Sequence, residues 1–345
     1  MVSTAPARRR GSRCALGFAA ALAALTVGAA ISAPAAAQNT PSAGLKTAWP
    51  KTDFSRSAID FGSVIPGGPP KDGIPAIDAP TFEPAAAATA LDAREPVIAL
   101  TVGDTTRAYP IRYLIWHEIV NDEIAGVPVA VTYCPLCNSA IVFDRRLGGG
   151  TAATFGVSGL LRNSDMIMFD RATESWWQQF TGEAIVGALT GARLTALPST
   201  LESWGVFRAA HPDAEVMAQP TGHARAYGRS PYSGYDASGW PMLYRGEEPP
   251  HGVPALARVV RVGSRAWPLE RLRAAPGGEL VEAGVRLSWR SGQASALDAP
   301  LIAEGRDVGG VRVVDAGSGA PLVHEVTYAF AFHAFEPDGA WMLGR

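Results

Sequence analysis

One short skeleton is written twice in this chain: Val-Gly, then Arg-Ala-aromatic-Pro, then Ala-Gly-Val, then Ser-Ala. A chain that repeats itself in this way is expected to build one kind of unit twice. The first copy runs through residues 97–144 and the second through 259–298. Aligned on Ala125-Gly126-Val127 and Ala283-Gly284-Val285, Cys134 falls opposite Gly292 and Cys137 opposite Ser295. Aligned on Pro110 and Pro268, His117 falls opposite Ala275. The three groups are missing from the second copy together, as expected of groups that serve one site. A further likeness between residues 207–213 (FRAAHPD) and 332–338 (FHAFEPD) sets His211 opposite Glu336. The expected fold is α+β, mainly antiparallel β with short helices, as two tandem, diverged copies of one unit packed together.

Residues 1–37 stand apart from this pattern. Arg8, Arg9, Arg10 and Arg13 form a basic start, residues 15–31 an apolar run, and Ala35-Ala36-Ala37 a small-residue cleavage site. This is the grammar of an export signal, so a periplasmic or extracellular location is expected. Its removal takes four arginines and no acid, moving the net charge from −2 to −6. A mildly acidic chain without a basic cluster is a poor ligand for nucleic acid or anionic lipid, because both attractions need gathered Lys and Arg. No later apolar run reaches the roughly 20 residues of a membrane span. Only Cys134 and Cys137 then remain, in an oxidising compartment.

The expected organisation is a Pro/Gly-rich arm over 38–92, a first unit over 93–217, an ordered Gly/Pro/Tyr-rich connection over 218–256, and a degenerate second unit over 257–345. Prolines in the arm forbid helix continuation and favour extended backbone before them. Pro110 is placed to open a helix over residues 111–119, with His117 near its end. Residues 127–133 and 140–143 read as strands around the Cys134-Pro135-Leu136-Cys137 turn, as do 153–157 and 166–169. Residues 201–210 have helical spacing.

Three readings fit the cysteine pair. A structural disulfide closing so short a loop would contribute roughly 2 kcal/mol, a weak staple beside the 5 or so of a hundred-residue loop. Thiol redox chemistry needs a neighbour that lowers the thiol pKa, for which His117 or Arg171 is available. The enzyme class would then be a thiol-disulfide type oxidoreductase, working with an unidentified redox partner or small-molecule ligand. A metal site needs further donors beside the two sulfurs: His117 as the third, and His211, Met166, Met168 or His333 as the fourth, for one zinc or copper ion. The leading expectation is a redox pair, Cys134 and Cys137, assisted by His117. The alternatives are a Cys134/Cys137/His117/His211 metal site and a non-catalytic binding module with a structural disulfide; the cofactor is then none, or one zinc or copper ion.

Other motifs carry less. His117-Glu118 begins like a zinc-protease helix, but Asn121 stands where the second histidine belongs. Ser158 reads as a turn hydroxyl. Asp165, Asp170, Glu174 and Glu183 are carboxylates that sequence cannot place relative to one another. Trp116, Trp176, Trp177 and Trp204 read as core.

The stretches GGPPKDGIPAID (67–78), RAYPIRYLIWHEIVND (107–122), VTYCPLCNSAIVFDR (131–145), FGVSGLLRNSDMIMFDRATESWWQQFTGEAI (155–185), YGRSPYSGYD (227–236) and SALD (295–298) resemble the domain of unknown function 3179 family (DUF3179). The resemblance covers nearly all of the chain beyond residue 53. It implies that Glu118, Asn121, Asp122, Ser158, Asp170, Arg171 and Gln178 occupy motif positions beside His117, Cys134 and Cys137. It brings no activity with it.

Overall fold

A computed structural model describes residues 40–148 and 150–344. The export signal expected over 1–37 lies outside the described residues. Among the described residues, five sheets, almost wholly antiparallel, account for the architecture, and the helices are short.

The β-branched run after Pro128 forms the strand Val127–Cys134, buried along nearly its whole length, and it pairs with Ile119–Ile124 on one side and Ser139–Asp144 on the other. Thr195–Leu197 completes this sheet. A second sheet orders Val64–Pro66, Phe155–Arg162, Asp165–Asp170, Trp176–Gln178 and Glu183–Val186. A third orders Ser199–Ser203, Pro96–Val102, Thr105–Pro110, Glu215–Met217 and Phe82–Pro84. Residues 40–92 thus contribute edge strands to two sheets, and Ile77 bridges to Val120.

The C-terminal part holds a four-stranded sheet ordered Glu325–Tyr328, Arg258–Val262, Arg265–Pro268 and Ala340–Trp341, and a meander of Glu279–Glu282, Val285–Arg290 and Gly310–Asp315. Its wiring can be compared strand by strand with the third sheet. In each, a hairpin takes an antiparallel neighbour on its first strand. That neighbour runs into a helix, Trp204–Ala210 or Ala329–Phe335. The chain then returns as a strand parallel to the hairpin's second strand. These are the two parallel pairings between named strands.

Two elements depart from the sequence expectation. The helix that opens after Pro110 ends at His117, because Glu118 adopts φ 59° and Ile119 already belongs to a strand. The helical spacing over 201–210 is split: Ser199–Ser203 pairs with Pro96–Val102 and only Trp204–Ala210 is helical. Tertiary pairing overrides local periodicity there.

Candidate functional site: two thiols and a carboxyl

Cys134 ends its strand opposite Ser139, and Pro135–Cys137 forms a 3-10 turn. Asn138, at φ 50° in the left-handed region that Asn tolerates, returns the chain into the next strand. Both sulfurs therefore project from one tight turn. The C-terminal part fixes its backbone: Thr327 Oγ1 donates to Cys137 O at 2.8 Å and Asn138 Nδ2 to Val326 O at 2.8 Å. Tyr235 in the connection donates its hydroxyl to Leu136 O at 2.9 Å.

The third member arrives from the next hairpin. Asn163 and Ser164 both have positive φ, 51° and 63°, which makes the reversal between Phe155–Arg162 and Asp165–Asp170 tight. That turn sets the Ser164 carbonyl 3.6 Å from Cys137 Sγ and 3.9 Å from Cys134 Sγ. It also sets Asp165 at the sulfurs. Cys134, Cys137 and Asp165 each place one donor atom within 4.8 Å of the others, and all three are buried.

Asp165 is held by one oxygen. Its Oδ2 accepts from Gln178 Nε2 at 2.7 Å and from the Phe180 amide at 3.0 Å. Its Oδ1 is buried and takes no N–H or O–H donor, its polar neighbour being the Cys134 thiol. A buried carboxylate oxygen without a donor costs free energy unless something binds it. Burial pushes the Asp165 carboxyl up to about 7. Glu118, at a positive φ of 59°, is also buried. Burial first, and the charge of Asp165 second, push it up to about 8. Burial likewise raises both thiols, Cys137 strongly. Burial therefore works against the charged form of all four groups.

His117 does not join this group. Its Nδ1 lies 2.7 Å from Pro75 O, which can only accept, so Nδ1 carries the proton and Nε2 accepts from Tyr227 OH at 2.7 Å. Its ring meets His223 at 4.8 Å, and burial lowers its pKa. The sequence expectation of His117 beside the sulfurs is corrected: the turn at Glu118 aims Glu118 inward, while the helix end faces the arm and the connection. His211, the other expected imidazole, follows the helix Trp204–Ala210 and packs against Phe207. Among the described residues, the acid that meets both sulfurs is Asp165.

Of the motif residues, Gln178 reaches the centre by holding Asp165, and its Oε1 accepts from Arg162 at 3.4 Å. The others brace the fold. Asn121 bonds Asp78 and both backbone atoms of Phe155; Asp122 takes Arg107 and the Tyr109 hydroxyl; Arg171 pairs with Asp72 and Asp78 on the arm. Ser158 accepts from Leu160 N at 2.9 Å and donates to Ile167 O, where the strand register shifts. Asp170 accepts from Thr173 N at 2.7 Å, Ser175 N at 3.1 Å and Trp177 Nε1 at 3.2 Å. Replacing Asp170 by Ala leaves the Thr173 amide and the Trp177 indole without this acceptor, and urea unfolding should report a loss of about 2–4 kcal/mol.

The fold and the site define a mainly antiparallel β protein with a buried Cys/Cys/Asp centre. The chain belongs to the family described as "Protein of unknown function (DUF3179)", which matches residues 71–339. No curated protein and no solved structure matches it. No helix among the described residues is long and apolar enough to cross a membrane.

Proposed function

We propose that this chain is a metal-binding protein whose centre is Cys134, Cys137 and Asp165. The observation that carries the reading is the buried Oδ1 of Asp165, which faces two buried thiols and no N–H or O–H donor. An ion there would displace protons from groups that burial already keeps from ionising, turning three ill-placed acids into three ligands.

The donor set favours a divalent ion of borderline softness, zinc before copper. Two thiolates and a carboxylate carry three negative charges in a site shielded from water, and a divalent ion neutralises more of that charge than cuprous ion does. Zinc accepts sulfur and carboxylate oxygen together, whereas cuprous ion selects soft sulfur and imidazole donors. Three protein ligands leave one tetrahedral position for water or a substrate. Glu118, in electrostatic reach of both Asp165 and Cys134, supplies a further buried carboxyl.

Thiol exchange is the second reading, supported by the adjacent cysteines, which are both free. It is weaker because exchange needs an accessible thiolate. Here the thiols are at most 1% exposed and their pKa values are raised. Elemental analysis of the mature protein purified without chelator decides between them. Metal binding predicts about one zinc per chain, retained through dialysis and lost with Cys134→Ser. A chain that takes up no zinc, copper or iron on titration, yet cycles between dithiol and disulfide, would overturn the metal reading.

Export of the chain is proposed on the leader-like residues 1–37 alone. An internal duplication is proposed on the matched strand order of the third sheet and the C-terminal four-stranded sheet. Backbone superposition of those two sheets with their helices tests it.

A further inference from the structure

The thiols are buried beneath the connection, and one piece of that connection is tethered far more lightly than its neighbours. Asp236 is clamped by Arg258 at 3.0 Å, by Ser295 and by Tyr328, and the amides of Gly234 and Asp236 bond the carbonyls of Asp298 and Leu297. Residues 238–248 follow. Their hydrogen bonds are mostly internal: Ser238 Oγ to Trp240 O at 3.1 Å, Trp240 Nε1 to Tyr244 O at 3.3 Å, and Tyr244 OH to Glu247 O at 3.1 Å. Among the described residues no strand pairs with them.

Pro241 and Tyr244 are buried, Tyr244 in the main hydrophobic core, and a ring contact and two hydrogen bonds hold this segment to the body. The Tyr244 ring packs on Phe330 at 4.8 Å, the Met242 backbone faces the Tyr235 hydroxyl, and the Ser164 hydroxyl donates to Met242 O. Ser164 is the residue whose carbonyl touches both sulfurs and which precedes Asp165. Tyr235 and Tyr244 are in electrostatic reach of Cys137. The outer face carries Trp240, Met242 and Leu243, exposed at 40%, 51% and 41%, with Leu243 at φ 60°. A bulky residue rarely adopts that conformation, and it raises the energy of the closed segment.

We infer that residues 238–248 form a flap through which a metal ion or reactant reaches the thiols, latched by the Ser164–Met242 hydrogen bond. Asp236 on one side and Pro249-Pro250 on the other bound the moving part, with Gly239 at φ 78° as its joint. The latch belongs to the hairpin turn that carries Asp165, so filling the centre and closing the flap stabilise one another.

The inference uses the proposed metal site only to say what passes the flap, and its test needs no metal. In chelator-treated, reduced full-length protein, the rate of thiol reaction with Ellman's reagent is measured from zero to moderate urea. Flap opening predicts that labelling in dilute urea is nearly independent of denaturant, as for a small local opening. Ser164→Ala should speed it roughly three- to tenfold, the worth of one hydrogen bond, with the thermal midpoint little changed. A chain whose residues 239–247 are replaced by Gly-Ser-Gly should label faster still. Labelling that follows global unfolding in all three proteins would overturn the flap. Metal uptake that fails while labelling behaves as expected would overturn the metal reading alone.

Discussion

On the metal reading, Asp165→Asn is expected to bind zinc more weakly and to gain stability. The substitution keeps the shape of the side chain and removes the charge that burial makes costly. The ion-free variant should therefore unfold at a higher temperature than the ion-free parent near pH 8, where the parent must ionise the buried acid. Its affinity for zinc should fall by at least about a hundredfold, more than removing an outer partner of a ligand usually costs. The two effects have opposite signs, and that opposition separates a ligand from a brace. Competition with a chromophoric chelator measures the affinity, and calorimetry in the presence of chelator measures the stability. A variant that loses stability and keeps its zinc would show Asp165 to be one more structural acid, like Asp170.

Raising the pH should weaken the ion-free protein. The unfolded values of Asp165 and Glu118 are near 3.8 and 4.5, and in the folded chain they stand at about 7 and about 8. A group whose pKa rises on folding contributes stability that is fully present below its unfolded value and is lost as the pH climbs through its folded value. Between pH 5 and pH 8 the apo protein should therefore lose stability as the pH rises. The metal reverses the trend: protons compete with it for thiols and carboxyl, so zinc affinity should climb with pH over the same interval. Urea titrations at pH 5, 6.5 and 8, with chelator and with saturating zinc, test both slopes. A flat or rising apo curve would mean that the two carboxyls are not held protonated by burial.

Much of the site could be read from the residues, and its completion could not. Cys134 and Cys137 declare themselves because the spacing puts both sulfurs on one turn, and the flanking β-branched runs mark that turn as a join between antiparallel strands. Gln178 and Glu118 sit in motif stretches. His117 is expected beside the sulfurs because it is missing from the second copy together with the cysteines, yet its ring nitrogens meet Pro75 and Tyr227. A helix end carries two adjacent side chains to different faces, and the left-handed turn at Glu118 decides which one faces the sulfurs. Nothing in composition announces a positive φ at a glutamate.

Asp165 was visible as an acid opening an apolar strand, DMIMFD, directly after Asn163-Ser164. Its distance from Cys137 along the chain hides that the two hairpins meet. Only pairing between strands brings them together, and pairing is a tertiary fact. The same reason explains the split of residues 201–210, where helical spacing yields at Ser199–Ser203 to the open edge of Pro96–Val102. The arm was legible as extended from its prolines, but its places on two sheet edges were not.

The central claim is that two sulfurs and one carboxylate share a metal ion. X-ray absorption at the zinc edge of the loaded, dialysed protein examines it most directly. The account predicts two sulfur scatterers at about 2.3 Å with oxygen at about 2.0–2.2 Å and no imidazole signature, and one sulfur fewer in Cys134→Ser. A first shell of nitrogen and oxygen alone, or one dominated by imidazole, would contradict it.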